Sequence, residues 1–205
     1  MAEKIKLNKN SLRDQNQSLK LYLEFLPTLE LRKQQLQSEV AAAQKELDRA
    51  KAREEALLDD ARGWKARLYT VLPLVRDLLQ VDLVSVHTAN VAGVRVPVFD
   101  RVLFRRGAYS LAATPWILDA AMVFFEKAIS ARELLRVLRE KHALLSQELV
   151  KTTQRINLYE KVLIPQTREN IRKIKVYLGD QQTAAVCRAK IAKNKIVVKA
   201  AGGQS

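Results

Sequence analysis

The feature that most constrains this chain is a run of apolar residues spaced alternately four and three positions apart. Between Leu29 and Leu78 this spacing defines 15 positions, of which 13 are apolar and only Lys33 and Glu54 are charged. A period of 3.5 residues held over about seven heptads is typical of a helix in a left-handed coiled coil and not of an ordinary surface helix. The chain therefore commits much of its apolar content to one long helical seam.

A second stripe with the same spacing runs from Leu138 to Leu163, and Thr114 and Pro115 form a helix start upstream of it. Two long helices joined by a connecting segment most simply fold back on each other as an antiparallel pair. We therefore predict an all-α dominated fold, a long antiparallel two-helix coiled coil with a short β-hairpin or helical insert at the middle of the sequence. The predicted parts are an N-terminal coiled-coil helix (1–80), a connecting segment with a short hairpin (81–113), a C-terminal coiled-coil helix (114–197) and a disordered tail (198–205).

A bend is predicted where proline interrupts each helix. Pro27 coincides with a skip in the four-three spacing, and Pro165 breaks the second stripe. If the helices turn between Leu78 and Trp116, the numbers of paired residues sum to about 194, which sets Pro27 beside Pro165. We expect a single kink at this level.

The same pairing brings the two chain ends together. It places Ile5 near Ala189, and the inward positions after Leu178 are small. We expect a slender tip that carries both termini.

The connecting segment has a different period. Five valines of this segment alternate with other residues: Val84, Val86, Val94, Val96 and Val98. Together with the turn residues between Asn90 and Gly93, this period of two predicts a β-hairpin, in which Pro97 restricts its strand to an edge. An isolated hairpin is marginally stable, so we expect it to rest on the coil or on a partner. The candidate contact residues are Phe99, Val102, Leu103 and Phe104. A partly disordered loop is the alternative.

Positive charge is concentrated near the C-terminus. The chain carries a net charge of +14, and residues 166–199 include nine basic residues and only two acidic ones. The candidate contact residues in this basic tip are Arg168, Arg172, Lys173, Lys175, Arg188, Lys190, Lys193 and Lys195. Such an excess predicts an anionic partner, either nucleic-acid phosphate or an acidic protein cavity.

Motifs for chemistry are missing from the sequence. Neither glycine-rich phosphate-binding pattern occurs, and His87 and His142 are far apart. The single Cys187 cannot form a disulfide within the chain, which fits a reducing compartment. It has no histidine near it in sequence, so we interpret it as a packing residue and not as a nucleophile. The polar N-terminus is not a signal peptide, and the apolar stretch 111–125 is too short to span a bilayer. We predict no catalytic, cofactor-binding or metal site.

The stretch "KTTQRINLYEKVLIPQTRENIRKIKVYLGDQQ", residues 151–182, resembles the signature region of the D-subunit family of V-type ATPases. The matching residues are Arg155, Asn157, Leu158, Ile164 and Pro165. "GVRVPVFD", residues 93–100, is similar to the middle segment of that family. The N-terminal region matches more loosely, because a Phe-Leu-Pro sequence stands at residues 25–27 where the family has a Gly-Leu-Leu-Lys type stretch.

The resemblance implies a non-catalytic central-stalk subunit, the rotor shaft of a V-type ATPase. Such a shaft transmits torque between the head, which hydrolyses or synthesises ATP, and the ion-translocating membrane ring. It also implies four partners: the catalytic head subunits A and B, the F subunit of the central stalk and the cup-shaped subunit on the membrane rotor ring. No nucleotide or nucleic acid would be bound directly, and no segment would enter the membrane. The location would be cytoplasmic and peripheral to the membrane.

Three rival functions remain, and a fourth, an enzyme in its own right, is disfavoured because motifs for chemistry are missing. The first is a basic coiled-coil arm that binds nucleic acid or an acidic protein. The second is an unrelated coiled-coil scaffold. The third, the shaft of an F-type enzyme, is disfavoured because the connecting segment has no room for the domain usually inserted there. Only Tyr177 is aromatic in the basic tip, and this composition is poor for a surface that stacks on bases.

Overall fold

The computed structural model of the chain describes residues 6–110 and 112–202, with side chains described as far as residue 196. In chain order its elements are helix α1 (Lys9–Asp60), a 3₁₀ turn (Ala61–Trp64), helix α2 (Lys65–Leu78), strands β1 (Leu79–Val91) and β2 (Val94–Arg106), helix α3 (Leu118–Leu158), a π turn (Tyr159–Leu163) and helix α4 (Ile164–Gly202). The predicted fold class, two long helical arms around a central β-hairpin, is confirmed. The last three residues of the predicted tail, 203–205, lie outside the described residues.

The elements form two compact units. One unit comprises Arg32–Thr152, and the other combines the residues up to Leu31 with those from Thr153 onward. Each unit is therefore described by itself.

In the unit Arg32–Thr152 the first helical arm buries the predicted seam. Its buried residues are Leu36, Ala43, Leu47, Ala50, Ala61, Leu68, Val71 and Val75. All eight belong to the four-three series counted from Leu29. The sequence period thus identified the face of α1 and α2 that packs inward.

Three apolar clusters hold this unit together. A base cluster contains Val71 and Val75 of α2 with Leu118 and Met122. A middle cluster joins Leu47 and Ala50 to Leu135 of α3. The third, the tip cluster, consists of buried Leu36, Ala43, Val96 and Leu145. Since Val96 belongs to β2, the hairpin is part of the core of this unit and not an appendage.

The hairpin is a long two-stranded ribbon. β1 and β2 pair antiparallel from Leu79 opposite Arg106 to Val91 opposite Val94, with two register shifts along the way. Ala92 and Gly93 form the turn with φ values of 50° and 79°. Positive φ at both central residues is the backbone of a type I′ turn, whose twist matches that of the strands.

The predicted contact residues of the hairpin were only partly right. Phe104 does pack against the base cluster. The other docking point is the tip, where Val91, Ala92, Val94 and Val96 pack on the coil, while Leu103 is exposed. Cross-strand period shows which residues share a face of a ribbon, but not which end of that face meets a helix.

In the other unit the predicted pairing was wrong by about ten residues. The rings of Tyr22 and Tyr159 lie 5.3 Å apart, and Asn170 donates a hydrogen bond to Gln15 at 3.4 Å. The paired numbers sum to 181 and 185, so Pro27 lies opposite residues of roughly 154–158, about two to three turns away from Pro165 at 3.6 residues per turn. The prolines do not share one level.

The error already builds up within the unit Arg32–Thr152, where Lys141 pairs with Glu46 and Arg32 pairs with Glu148, so that the paired numbers sum to 187 and then to 180. The 3₁₀ turn of the first arm is not its cause, because such a turn rises more per residue than an α-helix and would raise this sum. The predicted meeting of Ile5 with Ala189 involves Ile5, which lies outside the described residues.

The π turn corrects the phase of the second stripe. Thr152 and Ile156 are buried before it, and Ile164, Thr167, Ile171 and Ile174 are buried after it. The step from Ile156 to Ile164 is eight residues, one more than a heptad, and the wide π turn absorbs that extra residue.

Polar groups near the π turn also find partners. The N–H of Ile164 bonds to the carbonyl of Tyr159. The hydroxyl of Thr167 donates to the carbonyl of Leu163 at 2.6 Å. Pro165, which has no N–H to donate, thus sits where the helical bonding is already irregular.

Candidate protein-interaction site

The most prominent surface is the C-terminal part of α4, which we call the bare stretch, residues 179–196. Every residue in it is exposed. Leu7, near the start of the described chain, lines a shallow groove with Val176 and Tyr177. Within residues 6–110 and 112–196, no side chain covers the bare stretch.

All eight basic residues predicted as contacts are exposed on α4. The structure divides them into two groups of four. Arg168, Arg172, Lys173 and Lys175 lie where α4 still buries Ile171 and Ile174, whereas Arg188, Lys190, Lys193 and Lys195 lie on the bare stretch.

The two groups differ in their acidic neighbours. In the first, Lys173 forms an ion pair with Glu169 at 2.7 Å, and this hydrogen bond and charge lower the pKa of Glu169. In the second, no acidic residue occurs between Asp180 and the C-terminus. Beyond Asp180, the charged residues of the bare stretch are therefore all cations.

Apolar side chains accompany these cations. Val186, Ile191 and Ile196 are 56–69% exposed. Single exposed apolar residues are ordinary, but here they recur on a helix whose other side chains are exposed as well. An amphipathic contact with a partner is the arrangement that would cover them.

A second site lies at the tip of the hairpin and was not found in the sequence. Arg32 of α1 reaches Glu148 of α3 with 3.3 Å between Nη2 and Oε1. Its Nη2 also lies 3.6 Å from where a Cβ on Gly93 would stand, and its Nε is buried without a hydrogen-bond partner. No pattern in the sequence indicates this site, because Arg32 lies off the predicted seam and only tertiary packing brings its guanidinium beside Glu148 and the turn.

One residue of the turn has a backbone conformation that its own side chain disfavours. Ala92 has a positive φ of 50°, a conformation that suits glycine or asparagine better. Its methyl group packs on the tip cluster. The contact with the coil therefore stabilises a turn residue that an isolated hairpin would disfavour.

The root of the hairpin is fixed by polar contacts. Arg106, the last residue of β2, donates two hydrogen bonds of 2.7 Å to Glu126 of α3, which raise the pKa of Arg106. The hydroxyl of Tyr109 donates to Asp119, and this bond raises the pKa of Tyr109. Root and tip are thus both attached to the helices of this unit.

The signature residues flank the π turn. Arg155, Asn157 and Leu158 precede it and are exposed, whereas Ile164 is buried directly after it. Pro165 is the second residue of α4. The family signature therefore centres on the segment where the helix changes phase.

Side chains suited to small-molecule chemistry are scattered over the described part of the chain. No group of three or more His, Cys, Asp or Glu side chains in it could hold a metal ion. Cys187 and His87 are exposed, and His142 is half-buried. No helix in these ranges is both long enough and apolar enough to cross a membrane.

Comparison with known proteins decides the family. The family model described as the D subunit of ATP synthase matches residues 11–194. The chain belongs to the ATP synthase D-subunit family. The V-type ATP synthase D subunit of Borreliella burgdorferi is 37% identical over 196 residues, which cover 96% of each chain. The protein of the same name from Chlamydia muridarum is 35% identical over 200 residues, 96% of this chain and 98% of its own.

Membership of the D-subunit family fixes the broad function. The family is a stalk subunit and not a catalytic one, so this chain is a non-catalytic central-stalk subunit and a peripheral member of a V-type ATPase complex. Nothing in these comparisons supports the nucleic-acid alternative.

Proposed function

We propose that the bare stretch of α4 is the surface through which this stalk subunit contacts the catalytic head subunits A and B. The observation that carries the proposal is a helix that stays exposed on all sides from Gly179 to Ile196. Helices in proteins draw most of their stability from packing an apolar face, and among the described residues nothing packs on this stretch. A partner that covers Val186 and Ile191 would supply that packing.

The cations suit a contact that must change as the shaft turns. Exposed ion pairs contribute little each, about 0–1 kcal/mol. Several such pairs between Arg188, Lys190, Lys193 or Lys195 and carboxylates of successive head subunits would hold the shaft without fixing one orientation. A deeply buried ion pair would instead resist exchange, because leaving one charge unpaired costs several kcal/mol.

The remaining partners follow from the resemblance. The F subunit and the cup-shaped subunit on the membrane ring would bind elsewhere on the chain, and torque would pass between head and ring during ATP hydrolysis or synthesis. The protein would be cytoplasmic at the membrane. Kinks at Pro27 and Pro165, lying at different levels, would make the shaft asymmetric toward three equivalent catalytic sites.

The test is a charge reversal on the full-length chain. Changing Arg188, Lys190, Lys193 and Lys195 to Glu should weaken assembly with purified A and B subunits at least tenfold, as measured by native mass spectrometry and by ATP-driven rotation. A matched variant reverses four exposed charges outside α4, at Lys20, Lys45, Arg53 and Arg139. That control should assemble normally.

Equal assembly of both variants would contradict the contact. Co-purification of the tagged chain from its own cells gives an independent check. Recovery of the A, B and F subunits is expected, whereas recovery of nucleic acid that moderate salt releases would favour nucleic-acid binding by the basic stretch.

A further inference from the structure

A groove on the unit Arg32–Thr152 has no role in the proposed function. It lies beside the 3₁₀ turn and encloses about 420 Å³. Ala61 and Leu68 contribute buried surface, and Phe124 and Phe125 of α3 line another side. The volume is large enough for several apolar side chains, and the lining is mostly apolar.

The groove follows a second helical seam. Stepping four and three from Leu58 gives Arg62, Lys65, Tyr69 and Leu72, and all five residues line the groove. Leu58, Tyr69 and Leu72 are 51%, 62% and 39% exposed. The first seam packs in the base cluster, so the same helical arm has an inner and an outer seam. A helix with two such seams is built to pack between two neighbours.

The charge on the outer seam points to an acidic partner. Lys65 sets its ammonium 5.9 Å from the ring centre of Tyr69. Arg62 pairs with Asp59 one turn earlier, at 3.0 Å, with both side chains mostly exposed. Such a pair is weak and exchanges easily with another carboxylate.

Other occupants fit less well. A second copy of this chain would bring the same cations to the contact, and like charges facing each other are unfavourable. A small ligand needs several convergent polar groups to fix it, whereas the polar heads here are two cations and one phenol along an open seam.

We propose that this groove docks an amphipathic helix of a partner protein, whose apolar seam is flanked by carboxylates. The helix inserts its apolar side chains between Leu58, Leu72 and Phe125, and its carboxylates meet Arg62 and Lys65. The inference does not rest on the proposed contact between α4 and the head, because it uses different residues.

The test uses a synthetic probe with the stated chemistry. A fluorescein-labelled peptide of about three heptads has Leu at both seam positions and Glu beside them, and a matched peptide has Lys in place of Glu. Fluorescence anisotropy with the full-length chain measures binding. We expect the Glu peptide to bind at least tenfold more tightly than the Lys peptide.

Variants locate the peptide on the groove. The double change Arg62→Glu and Lys65→Glu should reverse the preference of the chain toward the Lys peptide. Tyr69→Ser combined with Leu72→Ser should lower the affinity for both peptides at least tenfold. Val150→Ser, at a residue of similar exposure, should change neither affinity. All these positions are exposed, so the fold should persist, as circular dichroism would verify.

The bare stretch is the necessary control, because its cations attract any acidic peptide. Changing Lys190, Lys193 and Lys195 to Gln should leave the affinity within twofold. If that variant no longer binds the Glu peptide while the groove variants still bind it, the proposal is wrong. It is also wrong if the Glu peptide does not bind, or if sedimentation shows a dimer that Tyr69→Ser dissociates.

Discussion

The unit Arg32–Thr152 and the bare stretch of α4 are both mostly helical, yet they are stabilised in different ways. The first buries one seam in three clusters and adds the hairpin tip as a third packing element. The second buries nothing between Gly179 and Ile196. Helix formation alone is thus no guide to which part of this chain carries its own core.

The difference also separates two uses of apolar residues. Leu145 and Val96 pack within the chain itself, whereas Val186 and Ile191 remain available to a partner. Substitutions of similar size should therefore have unlike effects in the two regions. In the packed unit they should lower the free energy of unfolding, and on the bare stretch they should act on assembly.

The largest effect is expected from Leu145→Ala. Leu145 is fully buried between α1 and the hairpin tip, and its removal leaves a cavity shared by three elements. We expect the free energy of unfolding of the full chain to fall by about 3 kcal/mol in urea titrations followed by circular dichroism. The matched change Val150→Ala lies in the same helix at a 55% exposed residue.

That control should change stability by less than about 0.5 kcal/mol. Ile191→Ala on the bare stretch should behave like the control. If Ile191→Ala instead destabilises the isolated chain as Leu145→Ala does, the bare stretch is packed in solution and the comparison fails.

A smaller effect is expected from changing the length of the π turn. Deleting Glu160, an exposed residue, restores a seven-residue step from Ile156 to the buried isoleucine that follows. The helix can then become regular with its stripe still in phase, so the free energy of unfolding should change by less than about 1 kcal/mol in the same urea titrations.

Inserting one alanine after Glu160 is the matched opposite. It turns the following stripe by about 100°, so that Ile171 and Ile174 lose burial at a cost of about 2 kcal/mol. Equal losses from the deletion and the insertion would show that the π turn does not set the phase.

Much of this fold was predictable because periodicity reports which face of a helix is buried. The seam from Leu36 to Val75 follows from spacing, and the hairpin with its turn near Gly93 follows from spacing together with the turn residues. Spacing along one chain does not report how two arms align. That alignment is set by tertiary contacts such as those of Arg32 with Glu148 and of Tyr22 with Tyr159, so the pairing of Pro27 with Pro165 was wrong.

The candidate sites divide in the same way. The basic residues of α4 were found because charge is visible in sequence, and their role remains a proposal. The site at the tip of the hairpin was missed because Arg32 and Glu148 are brought together only by tertiary packing. The groove at Tyr69 was missed because Phe124 and Phe125 of α3 complete it, and only tertiary packing brings them beside α2.

The smallest effect is expected at the border between packed and bare α4, where Glu169 pairs with Lys173. The pair lowers the pKa of Glu169. A lowered pKa means that its contribution to stability is present above the pKa of the unfolded state and is lost as the pH falls through the folded value. An NMR titration of the Glu169 side-chain carboxyl carbon should therefore show a midpoint below that of an ordinary glutamate.

The variant Lys173→Gln should move that midpoint upward, because it removes the hydrogen bond and the nearest charge while Arg172 remains. Lys190→Gln, on the bare stretch, should leave it unchanged. A midpoint that does not respond to Lys173→Gln would mean that the pair does not persist in solution. Lys173 would then be as available to a partner as the cations of the bare stretch.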